Sequence, residues 1–335
     1  MRMRYLYSTV LIVFAVYITG IFLEASPVAR VVDPVVGMSV PQEGSSVWRF
    51  TEGCSITKFK EHGLNAALPA GRANVYLHGD SYIEALMVPD EKKPDAVLTH
   101  ALGGTNLVWG IGRSGTGIPS FIVHAREYER TFGIPRLHIF FVTSTDDIIG
   151  DIGDEFVWDE EGVRKCPPRT SPAQMRLARI VNRYHINFIL SAYNKIKMLK
   201  SKRWRLLPGF GAGKSVVPMK RHQGEGQGCK EKFGFLCAEI KRTIRAPVLF
   251  VYCPNAPVLE NGAVSFPVGD EIFCGMESVD ILDVSPALNK LYETKGVLPH
   301  GYDNAGGPGR GHLNADGIEA VFSYVSEYLK REYAL

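Results

Sequence analysis

His78-Gly79-Asp80-Ser81 places a serine hydroxyl directly behind a short apolar run, Val75-Tyr76-Leu77. About 230 positions further on, Gly311-His312-Leu313-Asn314 places a histidine just ahead of a helix-like C-terminal stretch. A hydroxyl, a base and fixed N–H donors are what acyl transfer requires: a nucleophile, a group to take its proton, and an anchor for the charge that develops on the carbonyl oxygen. Gly79 permits a sharp turn before Ser81. A helix starting there would direct its free N–H groups and positive dipole end at that charge. Taken alone, Gly-Asp-Ser serves equally well as a helix cap. The turn Arg113-Ser114-Gly115-Thr116-Gly117 is a second place where a backbone N–H can approach an anion closely.

These residues act together only if the intervening elements bring them to one place. Apolar runs bounded by turn residues predict buried strands at 75–77, 106–111, 137–142, 248–252 and 280–284, and a small hairpin at 156–163. Helix-period patterns cover 82–88, 95–102, 119–132, 172–204, 230–245 and 313–332. Residues 28–73, rich in Pro, Gly and Ser, read as a lead-in linker. The ordered domain is therefore expected over 74–335, with an insertion at about 151–245. Strands alternating with helices predict a parallel sheet covered on both faces. Ligands of such sheets sit at the carboxyl ends of the strands, where the turns named above fall.

His78-Gly79-Asp80-Ser81-Tyr82, Arg113-Ser114-Gly115-Thr116-Gly117, Thr143-Ser144-Thr145-Asp146-Asp147 and Gly311-His312-Leu313-Asn314 resemble, in order and spacing, the four blocks of the SGNH (GDSL-like) hydrolases. The match runs over about residues 74–330. The resemblance implies a flavodoxin-like three-layer α/β/α sandwich and cofactor-free hydrolysis of esters, including acetyl groups on carbohydrates. It makes Ser81 the nucleophile and first oxyanion donor, the Gly115 N–H a second donor, and His312 the base. Two positions depart from the pattern. Asp146 stands where the family has an Asn whose amide serves the oxyanion, and losing such a donor costs about a hundredfold to a thousandfold in rate. Protonation of Asp146 beside other carboxylates, or donation by Thr145 or Ser144, would replace it. Gly309 stands where the family carries an Asp three residues before the histidine. Either Asp303, the nearest upstream carboxylate, or a backbone carbonyl would then orient His312, the latter leaving a Ser–His dyad. The implied function is an exported serine esterase acting on acyl, including O-acetyl, esters. An O-acyltransferase on the same site and a non-catalytic carbohydrate-binding protein of this fold are the alternatives.

With 335 residues, 45% hydrophobic and 22% charged, the composition is that of an ordinary globular chain. The net charge of +3 conceals an asymmetry, because residues 195–245 hold fourteen Lys or Arg against three Glu. Such a block suits an anionic partner, a uronic-acid glycan or lipid headgroups, and suits a solvated face equally. After Met1-Arg2-Met3-Arg4, residues 5–23 are uncharged, close to the length that spans a bilayer. Arginines before this run and Glu24 after it orient the N-terminus toward the cytoplasm. Residues 1–27 are thus expected to be a signal-anchor, with the domain periplasmic or extracellular; cleavage after Ala25 is the alternative. Six cysteines permit up to three disulfides in an exported chain, and Cys253 and Cys274 also suit buried thiols.

No metal, nucleotide or nucleic-acid partner is expected. The run Gly209-Phe210-Gly211-Ala212-Gly213-Lys214-Ser215 has Pro208 where a phosphate loop needs its first glycine. The acidic cluster Asp147, Asp151, Asp154, Glu155, Asp159 has no EF-hand spacing.

Overall fold

A computed structural model describes residues 7–16, 30–49, 52–65, 67, 71–144, 147, 156–159, 162–165, 226–260, 263–266, 279–302, 308–309 and 311–335. Two hairpins precede the main domain: β1 (Arg30–Val32) with β2 (Ser39–Pro41), and β3 (Ser46–Arg49) with β4 (Ser55–Lys58). The main domain then alternates strand and helix. β5 (Val75–Gly79) leads to α1 (Ser81–Glu84) and α2 (Pro94–Ala101), and β6 (Val108–Gly112) to α3 (Ile118–Phe132). Next are β7 (Leu137–Val142), the hairpin β8 (Phe156–Asp159) and β9 (Gly162–Lys165), and α4 (Gly226–Thr243). β10 (Val248–Tyr252), the hairpin β11 (Val258–Glu260) and β12 (Ala263–Ser265), β13 (Asp280–Asp283), α5 (Ser285–Lys295) and α6 (Ala315–Glu332) complete the order.

Five strands form one all-parallel sheet in the order β6-β5-β7-β10-β13. Numbered along the chain this is 2-1-3-4-5, the flavodoxin-like arrangement, and the order reverses between β5 and β7. Side chains alternate across the strands. Tyr76, Phe140 and Phe250 enter a core closed by Phe121 and Ile122 of α3 and by Phe233 and Leu236 of α4. Leu77, Ile139, Phe141 and Val251 enter the opposite core, closed by Leu98 of α2, Leu288 of α5, and Val321 and Phe322 of α6. Burial on both faces is why β7 is apolar in almost every position. The chain is a three-layer α/β/α sandwich.

Three sequence expectations change in the folded chain. The helix read over 82–88 stops at Glu84, where Ala85 turns into the left-handed region at φ 43°. Beyond it Leu86 packs with Val47 and Phe59, while Met87 and Val88 enter the core on the α6 side, so the chain leaves the helix to fill two cores. Residues 28–73 are more than a lead-in. Val36, Met38, Val40 and Leu64 are buried in the same core as Tyr76 and Trp109. Tight turns between short strands use the same Pro, Gly and Ser that a linker does, so composition could not separate them. Finally α4, read as part of an insertion, is a covering layer of the sheet; the helix expected at 172–204 lies outside the described residues.

Of the expected membrane segment, residues 7–16 are helical, with every side chain exposed. Among the described residues no helix is long and apolar enough to cross a membrane. Cys54, Cys237 and Cys253 are free thiols, the first exposed and the others buried.

If the N-terminal hairpins belong to the domain, Met38→Ala should lower unfolding free energy by about 2–5 kcal/mol, as core truncations do. A urea midpoint equal to that of the parent chain would return this segment to the status of a linker.

Candidate active site

Ser81 is the first residue of α1, directly behind the carboxyl end of β5. Asp80 caps that helix, its Oδ1 accepting the Tyr82 N–H at 2.8 Å. The Ser81 hydroxyl lies 2.8 Å from His312 Nε2 and 3.3 Å from Asp80 Oδ2. A hydroxyl has one hydrogen to give. The shorter contact, to the imidazole, is the one suited to proton transfer.

His312 is fixed from several sides. Its carbonyl accepts the Gly301 N–H at 2.9 Å, and Leu313 bridges His300 in antiparallel fashion. Asn314 caps α6, accepting the Gly317 N–H at 2.9 Å and donating from Nδ2 to the Leu298 carbonyl at 2.7 Å. Tyr82, next to the serine, donates its hydroxyl to the Gly311 carbonyl at 3.1 Å, and its ring centre lies 5.2 Å from that of His312. The helix that carries the serine therefore also props the histidine loop.

The partner of the second ring nitrogen comes from the tip of the β3–β4 hairpin. Glu52 Oε1 is 2.7 Å from His312 Nδ1 and also accepts the His312 backbone N–H at 3.0 Å. A carboxylate there puts the ring hydrogen on Nδ1 and leaves the Nε2 lone pair for the serine. Burial raises the Glu52 pKa, but the hydrogen bonds and charge of His312, with Arg49, outweigh it and hold the carboxyl below its ordinary range. Two glycines make the approach possible. At Gly311 (φ +85°) a Cβ would sit 2.7 Å from Glu52 Oε1, and at Gly53 (φ +71°) it would sit 2.2 Å from the Met87 carbonyl oxygen. The Ser55 hydroxyl, donating to the Leu86 carbonyl, ties the hairpin down beside them.

Glu52 was not found from sequence, where the expected orienting group is Asp303 or a backbone carbonyl. Nδ1 carries one hydrogen, and Glu52 takes it across 260 positions of chain. Asp303 itself lies outside the described residues, as does Asp146. Nothing local in Glu52-Gly53 marks it; the one sequence trace is the glycine before His312.

Gly115 lies in the turn after β6, at φ +78°, with nothing within 4 Å of where a Cβ would stand. The turn is latched to the serine segment. Arg113 N–H donates to the Gly79 carbonyl at 3.0 Å, and Ser114 N–H donates to Glu84 Oε2 at 3.1 Å. Glu84, buried in α1, is held by Arg30 at 2.6 Å. After β7, Asp147 closes the third turn by accepting from Thr143 N–H at 2.7 Å, Thr143 Oγ1 at 3.0 Å and Ser144 N–H at 3.1 Å. Burial first, and then the charge of Asp80, push the Asp147 carboxyl up to about 6 against those bonds.

His78 takes no part in this edge. It is fully buried and bonds His138 at 2.9 Å, which bonds Glu129 at 3.2 Å. Burial lowers the pKa of both histidines, so two neutral imidazoles sit in the core against the Glu129 carboxylate, which Arg245 pairs at 3.2 Å. Among the described residues no three His, Cys, Asp or Glu side chains converge on a metal position.

No family model matches the chain, and no curated protein matches it in sequence. Among solved structures it is similar to a lipolytic protein of the G-D-S-L family from Veillonella parvula, at 10% identity and TM-score 0.38, covering 78% of this chain and 98% of the other. It is also similar to Est24, a carbohydrate acetylesterase from Sinorhizobium meliloti, at 10% identity and TM-score 0.37, covering 77% and 98%. A carbohydrate acetylesterase family member from the same organism gives 13% identity and TM-score 0.32, covering 78% and 100%. The strand order, rather than likeness of this degree, defines the fold.

Asp147 yields a pH test. Its carboxyl moves from 3.8 to about 6 on folding, so the folded chain holds the proton more tightly. Its contribution is complete below pH 4 and is lost as pH rises through 6, amounting to about 3 kcal/mol at 1.36 kcal/mol per pKa unit. Asp147→Asn should therefore lose less stability than the parent between pH 4 and pH 7.5 in urea titrations. Identical pH slopes would assign the effect to other groups.

Proposed function

We propose that this chain is a serine ester hydrolase of the SGNH (GDSL-like) type. The observation that carries the reading is the hydrogen-bonded series Ser81–His312–Glu52, at 2.8 and 2.7 Å, beside the point where the strand order reverses. As the Ser81 oxygen attacks the ester carbonyl, its proton passes to His312 Nε2. Glu52 stabilises the imidazolium and keeps the ring aligned. Backbone N–H groups at Ser81 and Gly115 receive the oxyanion. Collapse expels the alcohol, which takes the proton from His312, and leaves an acyl-serine. Water, deprotonated by His312, then releases the acid and restores Ser81.

The same reading places the domain outside the cytoplasm, anchored by the N-terminal segment. What supports this is the uncharged run 5–23 and its flanking charges. The proposed substrates are acyl esters, including O-acetyl groups on a glycan. Support for a glycan is the basic block at 195–245, of which residues up to 225 lie outside the described residues.

Turnover of p-nitrophenyl acetate by the full chain should disappear in Ser81→Ala, together with covalent labelling by a fluorophosphonate. Equal rates in parent and variant would refute the mechanism. Glu52→Gln should reduce kcat about a thousandfold or more, since the wrong imidazole tautomer is then favoured. Asp303→Ala should cost less than tenfold, and the reverse ranking would transfer the orienting role to Asp303.

A further inference from the structure

Beside the turn that carries Gly115 lies a cavity lined by Arg30, His62, Arg113 and His124, with Met38 and Tyr128 among its apolar walls. Two arginines and two histidines face it, and among the described residues its lining contains no carboxylate. The Arg30 guanidinium is held in place from behind by Glu84, which is buried, and His62 is held by Asp33 at 2.7 Å. An arginine fixed in this way needs little reordering to receive an anion, and its planar fork suits a carboxylate.

The cavity is joined to the catalytic edge by short covalent and hydrogen-bonded steps. Arg113 immediately precedes Ser114-Gly115, and its N–H donates to Gly79, two residues before Ser81. Arg30 bonds Glu84, three residues after Ser81, and that carboxylate also receives Ser114. The two arginines of the cavity are thus tied by backbone and side-chain hydrogen bonds to the residues on either side of Ser81.

We propose that this cavity is a subsite for a carboxylate carried by the ester substrate, so that the enzyme prefers anionic esters to neutral ones of the same shape. The proposal rests on the esterase reading for its location and adds the substrate class to it.

Two matched pairs test it with the full chain. In one, 4-acetoxybenzoate is compared with its methyl ester, placing the carboxylate on the alcohol side. In the other, the p-nitrophenyl monoester of adipic acid is compared with its methyl ester, placing it on the acyl side. In at least one pair kcat/KM should favour the anion by about tenfold or more, the scale of one charged hydrogen bond. Arg113→Gln should pull that ratio toward one, Arg113→Glu should invert it, and Arg113→Lys should restore part of it. A ratio near one in both pairs for the parent chain overturns the subsite, as does a preference that survives charge reversal in a variant with parental thermal melting. The esterase reading fails separately, if none of the four esters is turned over. Calorimetric binding of the same pairs to Ser81→Ala then decides the subsite: tighter binding of the anion supports it, and equal affinity rejects it.

Discussion

The contact between Glu52 and His312 joins parts of the chain 260 positions apart. A single carboxylate oxygen accepts both the ring N–H and the backbone N–H of the histidine, so it fixes the position of the residue and the tautomer of its ring together. The serine contact at 2.8 Å follows from that tautomer, because only an unprotonated Nε2 can accept the hydroxyl hydrogen. Each partner rides on a different kind of element: a hairpin tip, a strand-to-helix turn, and the loop before the last helix. Small changes in any of the three would separate them.

Rigidity at this edge comes from close backbone approach. Gly112 illustrates it, since a Cβ there would stand 2.1 Å from the Glu84 nitrogen. The turn after β6 is thereby pressed against α1, and Glu84 adds a buried latch to Ser114 with Arg30 behind it. Tyr82 extends the same helix toward the histidine loop. One short helix of four residues, Ser81–Glu84, thus touches both the histidine loop and the turn after β6. It is too short to be stable alone; the packing around it decides its geometry.

Much of this was legible in the chain. Buried parallel strands announce themselves as apolar runs, so β5, β7 and β10 were readable from residue type alone, and the turns behind them followed. Ser81 and His312 could be named because each sits in a short run with its own local chemistry. The N-terminal hairpins escaped because short strands separated by Pro and Gly carry no periodicity long enough to distinguish from a linker. Glu52 escaped with them. Asp303 drew attention through proximity in sequence, which does not register an acid 260 positions away.

The sequence by itself determined the layered α/β architecture, the serine turn and the histidine before the last helix, since these depend on local pattern and on burial along single elements. Tertiary structure alone decided which acid meets the histidine, where α1 ends, and that Arg30 and Arg113 share one cavity. Those outcomes depend on how separate elements stack, and stacking is fixed by side-chain volume and missing Cβ atoms at contacts tens to hundreds of residues apart. No local signal in the chain encodes them.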